Sequence, residues 1–190
     1  MFGVVSYQGD FQKHVAALRS LGETVRAVRA PEDLEGLMGL VIPGGESTTI
    51  GTLMSRFGLL QHLRARIEDG LAVMGTCAGA ILLAREIERS TQERIGSLDM
   101  TVRRNAYGRQ IDSFEARLDI PAIGAAPFEG VFIRAPMITG VGPDVEVLSR
   151  FEDSPVLVRR GRLLALTFHP ELTGDTRIHR FFVESARRSA

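Results

Sequence analysis

Leu71-Ala72-Val73-Met74-Gly75-Thr76-Cys77-Ala78-Gly79-Ala80 is the stretch on which the fold of this chain turns. An apolar run of strand length enters, a residue flanked by glycines follows, and a helix-forming run leaves. That is the sequence form of a nucleophile elbow, a sharp strand-to-helix turn that lifts one side chain above the edge of a sheet. Gly75 and Gly79 suit it because strand and helix backbones approach closely there, where a Cβ would clash. The residue so presented is Cys77, the only cysteine of the chain. It would lie near a helix N-terminus, whose unpaired N–H groups and dipole stabilise negative charge. A lone cysteine is ordinarily a small buried hydrophobe, but the glycine bracket at a strand end marks this one as a nucleophile.

Upstream of the elbow, Phe2–Tyr7, Thr24–Val28 and Leu37–Ile42 read as short buried strands. Asp10 opens a helix whose apolar face is Phe11, Val15, Leu18 and Leu21, with Gly22 as its stop. Ser47 or Thr48 opens a helical stretch broken around Gly58 and resumed to about Asp69, and the helix after the elbow is expected to reach roughly Glu88. This alternation predicts a three-layer α/β fold with a doubly wound, mostly parallel sheet. From about Leu98 the pattern changes. Met100–Arg103, Phe114–Ile120, Gly130–Arg134, Val145–Phe151, Val156–Arg159 and Leu163–Phe168 are strand-like and separated by Gly, Pro and Asp signals. Antiparallel additions are expected here, with the last strand returning to the main sheet. Asp175 then caps a closing helix that carries Ile178, Phe181, Phe182 and Ala186 on or near its buried face. No stretch reads as a linker, so the 190 residues are expected to form one domain, 1–190.

Lysine plus arginine and aspartate plus glutamate number 23 each, which gives no net field for nucleic acid or an anionic membrane. The apolar runs are too short to span a bilayer. Met1-Phe2-Gly3-Val4-Val5-Ser6 lacks the basic start of a secretory signal. A single cysteine forms no internal disulfide, in keeping with a reducing, cytoplasmic setting. No His, Cys, Asp and Glu set has metal-ligand spacing, so no metal or other cofactor is expected.

A cysteine nucleophile needs a base, and the base needs an orienting group. Of the four histidines, His14, His62 and His179 fall within helical patterns and read as surface or packing residues. His169 differs, because it ends the run Leu163–Phe168 and precedes Pro170 and Glu171. Proline disfavours helix at the residue before it, and in an extended segment residues two apart share a side. Glu171 would then orient one ring nitrogen of His169 and leave the other for the thiol. In open α/β sheets, sites form outside the carboxyl ends of the strands, which would bring Cys77, His169 and the Pro43-Gly44-Gly45-Glu46-Ser47-Thr48-Thr49 loop to one edge. That loop lacks the lysine of a phosphate-binding P-loop. Its glycine pair could supply a backbone N–H at Gly45 which, with the N–H of Ala78, would hold an oxyanion. These residues together point to nucleophilic acyl transfer, by a cysteine amidohydrolase or an acyltransferase.

At these residues the chain resembles the class I (triad) glutamine amidotransferases, flavodoxin-like proteins with a Gly-x-Cys-x-Gly elbow and a distant His-x-Glu. Four further strings narrow the resemblance to the glutaminase subunits of pyridoxal 5'-phosphate synthases. They are Pro43–Thr49, Arg104-Asn105-Ala106-Tyr107-Gly108-Arg109-Gln110, Val131-Phe132-Ile133-Arg134-Ala135-Pro136 and Phe168-His169-Pro170-Glu171-Leu172. The resemblance implies a catalytic triad of Cys77, His169 and Glu171. It also implies an L-glutamine pocket formed by Gly45, Glu46, Ser47, Arg104, Ile133 and Arg134. It further implies hydrolysis of glutamine to glutamate, with ammonia passed to a (β/α)8-barrel synthase subunit that makes pyridoxal 5'-phosphate. Without the family, Arg104 and Arg134 would read as solvated charges. Ser6-Tyr7 stands where the family favours an aliphatic residue, and Tyr107 where phenylalanine is commoner. A glutaminase for another synthase, such as that of imidazole glycerol phosphate, and a non-catalytic regulatory subunit of the same fold are the alternatives. The Arg104-Asn105 string argues against the first and the intact triad against the second.

Overall fold

The structure is a computed structural model and describes residues 1–104 and 113–188. Five short apolar runs form a parallel array: β1 (Phe2–Val5), β2 (Val25–Val28), β3 (Gly39–Ile42), β4 (Ala72–Thr76) and β12 (Leu163–Leu166). Two antiparallel strands, β10 (Glu146–Phe151) and β11 (Ser154–Arg160), extend it to a seven-stranded sheet in the order β10-β11-β12-β4-β3-β1-β2. Strand β4, which feeds the elbow, is therefore central.

Side chains that alternate along these strands enter two separate cores. Leu40, Ile42, Val73, Leu163 and Ala165 face one side, where α2 (Ser47–Arg56), α3 (Leu59–Glu68) and α4 (Ala78–Leu83) supply Ile50, Met54, Leu59, Leu63, Leu82 and Leu83. Phe2, Val4, Val41, Met74, Leu164 and Leu166 face the other, against α1 (Phe11–Ser20) and α5 (Arg177–Arg187) through Leu18, Ile178, Phe182 and Val183. Strands packed on both faces explain their near-continuous apolar sequences. The result is the expected three-layer, doubly wound arrangement.

Two smaller sheets flank this frame. Strands β5 (Ala84–Ile87), β6 (Leu98–Arg103) and β9 (Met137–Val141) form one, and the antiparallel pair β7 (Ser113–Leu118) and β8 (Phe128–Ile133) forms the other. Here one expectation is corrected and one strand is added. The helix after the elbow ends at Leu83 rather than near Glu88, because Ala84–Ile87 pairs with β6 and buries Ala84 and Ile87. Those ladder bonds outweigh the helix propensity of Ala84-Arg85-Glu86-Ile87-Glu88. Strand β9 has no counterpart in the sequence reading. Ile138 is its one buried side chain, too little to give an apolar signal. Among the described residues no helix is long and apolar enough to cross a membrane.

Candidate active site

Strand β4 passes into α4 through Cys77, whose φ of 48° and ψ of −101° lie where L-residues are rarely found. Such a conformation costs on the order of 1–3 kcal/mol and persists only where its surroundings enforce it. The enforcement is visible. Cys77 N–H donates to Leu166 O at 2.9 Å, and Ile81 N–H donates back to Cys77 O at 3.2 Å. A Cβ on Gly75 would lie 2.6 Å from the Gly79 carbonyl carbon, and one on Gly79 would lie 2.0 Å from Ile42 O. The glycine bracket thus lets α4 start directly against β3 and β4. The thiol is 7% exposed and lies 3.8 Å from the carbonyl oxygen of Ile133.

Strand β12 runs parallel to β4 with Leu166 opposite Thr76, so the chain leaves it beside the elbow. His169 follows, held by its N–H to Val131 O at 2.8 Å. Its backbone is non-helical (φ −110°, ψ 88°), but Pro170–Leu172 then forms a 3-10 turn rather than an extended segment. The turn, and not strand alternation, brings Glu171 under the ring, with His169 Nδ1 2.8 Å from Glu171 Oε1. Burial disfavours the charged imidazole, yet hydrogen bonding with Cys77 and with Glu171 outweighs it and pushes His169 up to about 10. Burial likewise opposes charge on Glu171, but the hydrogen bond from His169 and the nearby His14 hold it below the ordinary carboxylate value. The other imidazole nitrogen of His169 is therefore the one free to meet the thiol.

Cys77 and His169 open into a cavity of about 490 Å³. Gly45, Glu46, Ser47, Arg104, Ile133 and Arg134 all line it, and Gly44 packs so closely that a Cβ there would lie 2.4 Å from His169 Cε1. Glu171 stands behind His169 with a side chain wholly out of solvent. Ala78 is buried at the start of α4, next to Cys77. Glu46 caps α2, accepting from Thr48 N–H at 3.1 Å and from Thr49 N–H and Oγ1 at 2.7 Å each. Burial is the largest single influence and opposes the charge, but the hydrogen bonds with Thr49 and Thr48 together outweigh it and pull the carboxyl down to about 2. The Arg104 guanidinium donates to Gln92 Oε1 at 2.7 Å, Thr48 Oγ1 at 3.1 Å and Glu46 Oε1 at 3.3 Å. Arg134 turns the chain at φ 43°. Asn105–Gln110, including Tyr107, lie outside the described residues.

Several participants escape the sequence reading. Gln92 anchors Arg104 from a loop that carries no periodic signal. His14 and His179, read above as surface or packing residues, are fully buried and polar-bonded beneath Glu171. Their signal was present, since His14 lies on the same helical face as Phe11 and Leu18, and His179 beside Val183 and Ala186. His62 is exposed, with Nδ1 2.8 Å from Gly58 O.

A doubly wound sheet with a cysteine elbow facing a histidine–glutamate pair is the frame of an amidotransferase domain. The chain belongs to the SNO glutamine amidotransferase family, whose profile matches residues 4–188. It is 55% identical over 187 residues to the pyridoxal 5'-phosphate synthase subunit PdxT of Pelotomaculum thermopropionicum, covering 98% of this chain and 95% of that one. The PdxT subunit of Thermus thermophilus is 55% identical over 186 residues, covering 97% and 96%. A crystal structure of a glutamine amidotransferase superposes with a TM-score of 0.94 at 53% identity, over 97% of this chain and 98% of the other. PurLQS of Thermotoga maritima shares the fold at a TM-score of 0.74 and 17% identity, over 96% of this chain and 97% of that one.

Proposed function

We propose that this chain is the glutaminase subunit of a pyridoxal 5'-phosphate synthase, hydrolysing L-glutamine to L-glutamate and ammonia. The reading rests on one observation above all: Cys77 and the His169–Glu171 pair meet at a cavity also lined by Arg104, Arg134 and Glu46, in a chain so similar to PdxT subunits. In this reading the Cys77 thiolate attacks the glutamine carboxamide carbon, and backbone N–H groups of Gly45 and Ala78 hold the oxyanion. His169, protonated in the pair, gives its proton to the departing ammonia. It then takes one from the water that cleaves the thioester, releasing glutamate and restoring the thiol. Glu171 keeps the imidazole in one tautomer. The α-carboxylate of glutamine suits an arginine fork, and its α-ammonium suits Glu46 or backbone carbonyls. Ser47 and Ile133 complete the pocket wall.

The ammonia would pass to a separate (β/α)8-barrel synthase subunit. One amidotransferase domain, 1–190, and a reducing, cytoplasmic setting fit a chain whose single cysteine must stay a free thiol. Unproductive glutamine loss would be limited if the oxyanion site formed only with the partner docked. The Gly44–Gly45 peptide can serve as that switch. Neither residue carries a side chain, and Gly45 already has φ 141°, a region that L side chains rarely adopt, so a flip meets no side-chain strain. One such donor is worth about 10²–10³-fold. Glutamate release is therefore expected to be low for the chain alone and to rise steeply as the synthase is titrated in, with Cys77→Ala as blank. No glutamate at any synthase concentration would refute the function, and full activity without partner would refute the switch.

A further inference from the structure

Beneath the Cys77–His169–Glu171 line lies a layer of buried polar groups with no part in the chemistry described so far. Glu171 Oε1 accepts from His169, while Oε2 is fully buried and has no well-aligned hydrogen-bond partner among the described residues. Facing Oε2 at 3.3 Å is Nε2 of His14, on α1, which also lies 3.2 Å from Thr76 Oγ1, one residue before the nucleophile. On its far side, His14 Nδ1 is 3.0 Å from Nε2 of His179, on α5. Both rings are wholly buried, and burial holds both below the ordinary imidazole value, against the attraction of Glu171. Glu171, His179 and Thr76 face His14 directly, with His169 and Asp10 acting at longer range.

We propose that His14 is a positioning residue, whose Nε2–H holds the second oxygen of Glu171 and so fixes the carboxylate against His169. The proposal builds on the glutaminase reading of the site.

The tautomer follows from counting protons. A neutral His14 carries one. If it were on Nδ1, the Nε2 lone pair would face the buried carboxylate, and Oε2 would have no donor. His179 Nε2 would then have to accept, which puts the His179 proton on Nδ1. That atom is buried and has no hydrogen-bond partner among the described residues, so a donor would be stranded. With the proton of His14 on Nε2 instead, it lies between Thr76 Oγ1 and Glu171 Oε2. His179 Nε2–H donates to His14 Nδ1, and only a lone pair is left bare on His179 Nδ1. An unpaired buried donor or anion is the costlier defect. Both ends of the chain of groups therefore select the same tautomer. The order runs from His179 through His14 and Glu171 to His169, and it ties α1, α5 and the strand ends β4 and β12 to one imidazole.

The test begins on the unaltered chain. Nitrogen-15 spectra of histidine-labelled protein at neutral pH should show His14 protonated on Nε2; a proton on Nδ1 would overturn the proposal. His14→Leu removes the donor. In the complex with the synthase it should lower kcat for glutamine hydrolysis by about tenfold or more, within the span of a mispositioned general base, and leave KM little changed. The acid limb of Cys77 alkylation by iodoacetamide should move to higher pH by about half a unit or more, since a loosened carboxylate supports the His169 imidazolium less. His14→Gln, whose amide can reach Oε2, should recover most of both. Unchanged kcat and an unmoved limb in folded His14→Leu would overturn the proposal, as would equal losses in the two variants. Should His14→Leu not fold, the spectra and the alkylation profile of His14→Gln decide. The spectra and alkylation need no glutamine, so a wild-type complex that releases no glutamate would refute the glutaminase reading and leave His14 still tested.

Discussion

At Cys77 the strained backbone and the proposed chemistry fall on one residue. The φ of 48° sits among backbone hydrogen bonds of Cys77 and close approaches at Gly75 and Gly79, none of which involves the thiol. Cys77→Ala should therefore keep the far-ultraviolet circular dichroism of the parent and lose glutamine hydrolysis altogether. A γ-electrophilic glutamine analogue should add its mass at Cys77 alone. His169→Asn removes both the base and the proton donor, and a loss of at least about 10²-fold in kcat is expected. Glu171→Gln keeps an oxygen for His169 Nδ1 but surrenders the charge, so its loss should be smaller. Equal, small effects at both positions would reduce His169-Pro170-Glu171 to a structural turn. Cys77 and His169 were legible because each stands in a local context, an elbow or a strand end before proline; Glu171 was picked by strand alternation, whereas a 3-10 turn is what carries it under the ring. Arg104 and Arg134 were not legible, since exposed arginines look alike until the chain has folded around a cavity. They entered through family resemblance only.

Elements were legible where one period governs them and opaque where partners do. The five parallel strands and the helices α1, α2, α3 and α5 follow from apolar runs and stop signals. The early end of α4 does not, because the ladder between β5 and β6 that claims Ala84–Ile87 is set up by residues well downstream. The elbow is the element on which function depends, and its tolerance is narrow. A Cβ at Gly79 would lie 2.0 Å from Ile42 O, a backbone atom of a central strand that cannot rotate away. Gly79→Ala should therefore destabilise the chain by about 1–3 kcal/mol or more, as overpacking does. Gly174 has open space at the same position, so Gly174→Ala should stay within about 0.5 kcal/mol. Urea midpoints for the two variants check this, and similar values would show that the close approach of β3 and α4 is not required.

The whole molecule carries an acid liability that its zero net charge conceals. Burial holds His14 below the ordinary imidazole value, and burial together with the nearby His14 holds His179 down to about 3. Unfolded imidazoles take up protons near pH 6.5. A group whose folded value is depressed leaves the unfolded state binding more protons, so stability falls as pH drops from about 6.5 toward the folded value. His169 has the opposite sign. Its folded value near 10 contributes stability below pH 6.5 that is lost as pH rises through about 10. The carboxylates held low, Glu46, Glu171 and Asp175, lose their contribution only below about pH 4.5. Between pH 7 and pH 5 the two buried imidazoles therefore dominate the slope. His179 alone should remove about 2 kcal/mol of stability over that interval. His179→Gln should remove its share of the slope, whatever the substitution does to stability at pH 7. Urea unfolding of both proteins at the two pH values measures it, and equal slopes would mean that His179 is protonated as readily in the folded chain as in the unfolded one.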